Sequence, residues 1–222
     1  MEIAAIHLPS MTFLSQPPDT LRTTVMRWLE ENVPPPRLRH ILSVEGYARE
    51  LAEHYGLDRD RAAWAGFLHD LAKYVSDEDL LSAMSLEPEF EPDPVVLSNP
   101  HLLHADVGAI FARDRFDIDD PECLDAIRNH TLGRPGMSDL SCIVFLADAL
   151  EPYRGNTDTL KRLRHRARTH LYDAVVQVCD RSLSYLMSKN KPIHPRAVAT
   201  RNWFLTHRDR SPLPVIQETA TC

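Results

Sequence analysis

The chain has 222 residues, enough for one domain or at most two, and long enough to bury roughly 70–75% of its unfolded surface without a disulfide staple. Its 43% hydrophobic and 26% charged residues exclude a wholly disordered or fibrous chain. Lys and Arg number 25 against 32 Asp and Glu, and the net charge of −7 argues against a surface built to grip nucleic acid or an anionic membrane.

Cys123, Cys142, Cys179 and Cys222 lie far apart with no CxxC pair, so neither a zinc ribbon nor a disulfide framework is expected and a reducing cytoplasm fits best. The first ten residues carry no basic cluster, and no stretch approaches the roughly 18 apolar residues of a membrane span, so neither secretion signal nor anchor is read. Seven Gly against 17 Pro, with few alternating β-branched runs, predict an all-α fold with proline punctuation.

Residues 1 to 19 lack lasting periodicity and read as a loosely ordered N-terminal extension. Asp19 or Thr20 caps a first helix through Leu29, and Pro34-Pro35-Pro36 separates it from a second over Leu38 to Tyr55, ended by Gly56. Asp58 caps a third helix through Ala72, apolar nearly all round, and Asp77 caps a short one to about Met84. Pro88, Pro92, Pro94 and Pro100 then mark a loop long enough to be a lid or rim. Further helices are predicted over Leu102 to Arg113, from Asp120-Pro121 to about His130, from Asp139 to Leu150, and from Thr159 to Met187 as one long element. A short terminal helix follows the Lys191 to Pro195 connector, and residues 207–222 read as a tail to a domain over 20–206.

The sharpest chemical feature is His69-Asp70, a carboxylate beside an imidazole in the apolar segment Ala-Gly-Phe-Leu-His-Asp-Leu-Ala-Lys. An isolated pair of this kind is more often a hydrogen-bonded core histidine beside a surface aspartate. This pair is not isolated: His40 precedes it on another helix, His104 and His130 follow on two more, and Asp148 closes the apolar run 143–148. Helices bring such residues together only in a bundle interior, where mixed nitrogen and oxygen donors suit iron or manganese and the lack of thiolates argues against structural zinc. No Ser, Cys or Lys nucleophile stands in a recognisable triad, and no Walker motif is present.

The order His40, His69-Asp70, His104, His130, Asp148 resembles the HD-domain metal-dependent phosphohydrolase superfamily over about residues 37 to 206. Flanking blocks narrow the resemblance to the YqeK-like branch, similar to symmetrical diadenosine tetraphosphate hydrolases. These blocks are His69-Asp70 with Ala72-Lys73, Asn99 to His104 followed by Val107-Gly108-Ala109, His130 to Arg134 followed by Met137, and Ala147 to Arg154. The resemblance implies an HD-domain helical bundle with a dinuclear metal site. His40, His69, Asp70 and Asp148 would hold one metal, and Asp70 would bridge to a second held by His104 and His130. It further implies two divalent cations, iron first with manganese or cobalt as alternatives, and a dinucleoside polyphosphate substrate cleaved by attack of a water acidified between the metals.

Asp70 and Lys73 are read as the residues acting in the reaction, and Lys73, Thr131, Arg134 and Arg154 as phosphate contacts. For Arg154 the plainer expectation is an ion pair with Glu151, and for Thr131 and Arg134 an ordinary polar loop. The run Lys161, Arg162, Arg164, Arg166 and Arg168 is threaded by Leu160, Leu163, Ala167 and Leu171, which predicts a solvated helix face. His7, His54, His101, His165, His170, His194 and His207 are read as surface or loop residues. His101 is a pocket candidate because it stands three before His104, although a capping or surface role is preferred. The competing functions are a nucleoside monophosphate phosphohydrolase of the same superfamily and a non-catalytic metal-binding regulator. No nucleic-acid or membrane partner is expected, and a homodimer is left open.

Overall fold

The structure is a computed structural model of the chain and describes residues 19–215. Apart from Asp19, the expected N-terminal extension lies outside the described residues, as do His7 and residues 216–222 of the expected tail with Cys222. The described chain is helical without strands, the all-α architecture expected. Its helices are α1 Asp19–Asn32, α2 Pro35–His54, α3 Arg59–Leu68, α4 Asp77–Ser85, α5 Pro94–Ser98, α6 His104–Phe116, α7 Pro121–Asn129, α8 Asp139–Leu150, α9 Asp158–Thr169, α10 Leu171–Ser188 and α11 Pro195–Thr206.

Helix α8 is the spine of the bundle, packed by α2, α3 and α7 on one side and by α9 and α10 on the other. Ile143, Val144 and Leu146 are fully buried, and each such side chain contributes roughly 1.5–3 kcal/mol. A smaller core of Leu80, Val96, Leu103 and Val107 seats α4 and α5 against α6. The caps follow short-range chemistry: Asp58 accepts from the amides of Asp60 and Arg61, and Asp120 from those of Glu122 and Cys123 with Pro121 in the first turn. Ser76 rather than Asp77 caps α4, accepting from the Asp79 amide. Thr20 lies inside α1.

Three boundaries differ from the sequence expectation. Helix α2 starts at Pro35 because Pro35 and Pro36 sit in its first turn, where no amide is needed. The expected helix over Thr159 to Met187 is two helices, α9 and α10, parted at His170 by an extended backbone (φ −150°, ψ 89°). Helix α3 stops at Leu68, and Leu71, Lys73 and Val75 instead donate to the carbonyls three residues back. Neighbours on an α-helix project about 100° apart. The tighter turns carry His69 and Asp70 into the interior together, at 0% and 1% exposure.

The proline-marked segment after α4 contains α5, capped by Asp93, whose carboxylate also meets His194 Nε2 at 2.7 Å ahead of α11. Beyond α11 the chain returns along the bundle, and the Val215 amide donates to the His54 carbonyl at 2.9 Å. No helix among the described residues is long and apolar enough to cross a membrane.

Candidate metal centre

Five helical segments deliver the six expected ligands to one interior point. His40 comes from the middle of α2 and Asp148 from the last turn of α8, while His69-Asp70 and His130 lie just past α3 and α7 and His104 opens α6. The local device is shared. His69, His104 and His130 each donate Nδ1–H to the carbonyl three residues earlier, to Gly66 at 2.6 Å, His101 at 2.6 Å and Ile127 at 2.7 Å. A carbonyl can only accept, so these contacts fix the tautomer and leave each Nε2 with an exposed lone pair. His40 reaches the same result through Glu151, whose Oε1 lies 2.9 Å from its Nδ1.

The two oxygens of Asp70 face different partners. Oδ2 lies 3.3 Å from His69 Nε2 and 3.9 Å from His40 Nε2, whereas Oδ1 lies 3.6 Å from His104 Nε2 and 3.7 Å from His130 Nε2. Asp148 Oδ1 stands 3.0 Å from His40 Nε2 and 3.9 Å from His69 Nε2. Donor atoms within 4.8 Å of one another form two overlapping groups, His40-His69-Asp148 and His69-Asp70-His130. His104 joins the second through its Nε2, 3.2 Å from that of His130.

Two features test whether cations fit. His69 Nε2 is buried with no hydrogen-bond partner, a costly arrangement for a lone pair unless a Lewis acid meets it. His104 and His130 aim two Nε2 lone pairs at one point, 3.2 Å apart, where Thr131 Oγ1 lies 3.1 and 2.9 Å from them and Lys73 Nζ 3.0 Å from that of His104. The imidazoles are neutral there: burial first, then the neighbouring imidazole, pushes His104 down to about 2 and His130 down to about 4. Burial works to raise Asp70, but its contact with His69 and its proximity to His130 and Lys73 outweigh it and hold the carboxyl well below its ordinary range. Burial likewise opposes the lowered pKa of Asp148, which His40, His69 and Arg154 enforce. Ionised carboxylates with neutral imidazoles are the donor set a hard or borderline divalent cation takes.

The cationic residues are placed unevenly. Lys73 lies in the turn after Asp70, and its Nζ stands 3.0 Å from His104 Nε2. Burial lowers the Lys73 pKa against the pull of Asp70. Arg154 donates to Asp148 at the carboxylate (2.6 Å) and backbone (2.8 Å), with Glu151 farther at 3.9 Å, so its main ion pair is with Asp148. Arg134 points away from the cluster, 53% exposed and bonded to Asp125 at 3.0 Å. His101 stacks on His104 with centroids 5.0 Å apart and supplies the carbonyl that holds it.

Two supporting residues escaped the sequence reading. Arg37 donates to Asp70 Oδ2 at 3.0 Å, and Glu151 orients His40 from 1% exposure. Their spacing is the signal available: Arg37 stands three before His40 and Glu151 three after Asp148, each one turn from a ligand. His54 is not at the surface; it is buried, with Nε2 2.6 Å from the Arg168 carbonyl. The basic run of α9 is exposed at Lys161 and Arg162 but half-buried at Arg164, Arg166 and Arg168, with Leu160, Leu163 and Ala167 buried beneath it.

A helical bundle with an interior His-Asp pair flanked by three further imidazoles and a second carboxylate defines a class, and the chain belongs to the HD domain family, matched over residues 37–153. Among its relatives, a "Bis(5'-nucleosyl)-tetraphosphatase, symmetrical" of Bacillus subtilis (strain 168) is 36% identical over 172 residues, 77% of this chain and 90% of that protein. Its namesake from Halalkalibacterium halodurans is 35% identical over 169 residues, covering 76% and 89%. A crystal structure from Clostridium acetobutylicum, described as a "predicted HD superfamily hydrolase involved in NAD metabolism", superposes with a TM-score of 0.80 at 31% identity over 84% of this chain and 97% of that one.

Proposed function

We propose that this protein hydrolyses diadenosine tetraphosphate symmetrically to two ADP, using two divalent cations held inside an HD domain that spans residues 20–206. The carrying observation is Asp70, whose two oxygens each face a separate imidazole pair, in a chain that aligns with 90% of a relative named for that reaction. His40, His69, Asp70 and Asp148 would hold one cation, and Asp70, His104 and His130 the other. Divalent cations held there would supply Lewis acidity toward the phosphoryl oxygens and toward the attacking water. Iron is the metal we assign first, with manganese and cobalt as alternatives, because the donors are imidazole and carboxylate without thiolate.

The chain's own residues bind and orient the phosphates. Lys73 brings an ammonium beside His104, and Arg37 a guanidinium beside Asp70 Oδ2. Thr131 offers a hydroxyl beside His104. Arg154 and Arg134 can turn from Asp148 and Asp125 toward a tetraphosphate chain, which outcompetes a single carboxylate for a planar fork. Six ligands from one chain make a complete site in a monomer, and a homodimer remains compatible with it. The free thiols of Cys123, Cys142 and Cys179 support a cytoplasmic location.

The test is to load the protein with iron, manganese or cobalt, supply diadenosine tetraphosphate or AMP, and read every product by chromatography. ADP alone from the dinucleotide is expected. Equal AMP and ATP would overturn the central register, phosphate from AMP with the dinucleotide intact would select the monophosphatase, and metal binding without turnover would select a regulator.

A further inference from the structure

We propose that the apolar cavity between α8, α10 and α11 receives one nucleoside of the substrate and thereby sets which phosphate reaches the metal centre; this rests on the reading above and names its specificity site. The cavity encloses about 470 Å³, within the roughly 300–1,000 Å³ typical of small-molecule sites. Its wall grows out of the metal ligands' own segments. Thr131 and Leu132, which follow His130, line it, and so does Leu102, two residues before His104. Phe145 lies one turn of α8 before Asp148. Thr131 belongs to both places, since its hydroxyl stands 2.9 Å from His130 Nε2 while the residue lines the cavity.

The far wall is apolar and small where a flat ring must enter. Ala197 of α11 and the buried Cys179 of α10 leave the space open, and Tyr185, 61% exposed, stands at the rim with an aromatic face to offer. A base needs an apolar slot with an aromatic face and polar rim groups, here Tyr185 with Arg181 and Ser182. The loop that joins the two places is held in one shape. Gly133 adopts φ +64° and a Cβ there would come within 2.5 Å of Thr200 Cγ2, while Thr200 Oγ1 donates to the Leu132 carbonyl at 3.0 Å. A rigid span between base slot and metal centre counts phosphates from the nucleoside, which is what exclusive production of ADP requires.

The experiment is calorimetric titration of manganese-loaded protein with ADP and, separately, with pyrophosphate, for wild type, Ala197→Trp and Tyr185→Ala, each with measured metal content. Ala197→Trp fills the slot and should weaken ADP by about tenfold or more while pyrophosphate binds as in wild type. Tyr185→Ala removes only an exposed ring, so folding is not at risk, and should weaken ADP by about fivefold or more. In both variants the KM for diadenosine tetraphosphate should rise in parallel. Unchanged ADP affinity in both variants, or an equal loss for pyrophosphate, would overturn the proposal. If wild type leaves the dinucleotide intact the proposed function falls, but the ADP and pyrophosphate titrations still decide the slot.

Discussion

On the Oδ2 side of Asp70 stand His40, His69 and Asp148, backed by Glu151, Arg154 and Arg37; on the Oδ1 side stand His104 and His130, backed by Lys73 and Thr131. The first side offers a cation two carboxylates and two imidazoles, and the second one shared carboxylate and two imidazoles beside an ammonium. The titration behaviour carries the same contrast. Burial works to lower His40, yet its hydrogen bonds to Asp148 and Glu151 raise it, whereas burial and the neighbouring imidazole drive His104 and His130 down. With one carboxylate more, the Oδ2 side should hold a cation more tightly, and the Oδ1 side should be the one that exchanges.

Asp70→Ala removes the group common to both sides and should have the largest effect: activity falls about a thousandfold or more, and bound metal drops well below that of wild type. Full metal content with surviving turnover would sink the bridging assignment. His104→Ala and His40→Ala then separate the sides. His104→Ala should lose the more weakly held metal and about a hundredfold in turnover, while His40→Ala should disturb the tight one. A chelator titration followed by metal analysis checks this. Wild type should release metal in two phases, and the early phase should be missing in His104→Ala. Release in one phase from wild type would refute the asymmetry.

Lys73→Ala and Arg37→Ala come next, because they remove charge without removing a ligand. Each should keep both metals and lose about ten- to a hundredfold in kcat/KM, equivalent to roughly 1.5–3 kcal/mol per charged hydrogen bond. Metal analysis alongside steady-state kinetics distinguishes this from ligand loss; wild-type kinetics would return both residues to a structural role.

The sequence reading reached the helical architecture because apolar spacing at 3.6 residues is a local signal; it picked out His69, Asp70 and Asp148 because polar residues stand out in apolar runs, and grouped His40, His104 and His130 with them because their order resembles the HD-domain superfamily. It overran α3 because Leu71 and Ala72 continue the apolar pattern; nothing in composition says that His69 and Asp70 must face the same way, which only tertiary demand imposes. It fused α9 and α10 because neither Gly nor Pro marks His170, and the break serves packing of α10 against α8 and α11 rather than local propensity. Arg37 and Glu151 were passed over because a charged residue one turn from a ligand looks like any solvated one until the neighbouring helix is in place.

The smallest effect sharpens the comparison from a distance. Arg164 belongs to the basic run of α9, yet it is half-buried and its guanidinium donates to the carbonyls of Leu150 (2.6 Å), Glu151 (3.0 Å) and Gly155 (2.8 Å). It thus closes the C-terminal end of α8 and holds the short segment that carries Glu151 and Arg154, both of which serve only the Oδ2 side. Arg164→Ala should cost about 1–2 kcal/mol in denaturant unfolding, against under ~0.5 kcal/mol for its neighbour Arg162→Ala, whose side chain only meets Thr159 on the exposed face. Lysine cannot span three carbonyls with one ammonium, so Arg164→Lys should recover only part of the loss. In the chelator titration Arg164→Ala should shift the late phase, belonging to the Oδ2 side, by less than about tenfold and leave the early phase in place. A shift confined to the early phase would show that the segment behind α8 supports the other side of Asp70, and the division of the site into two unequal halves would have to be redrawn.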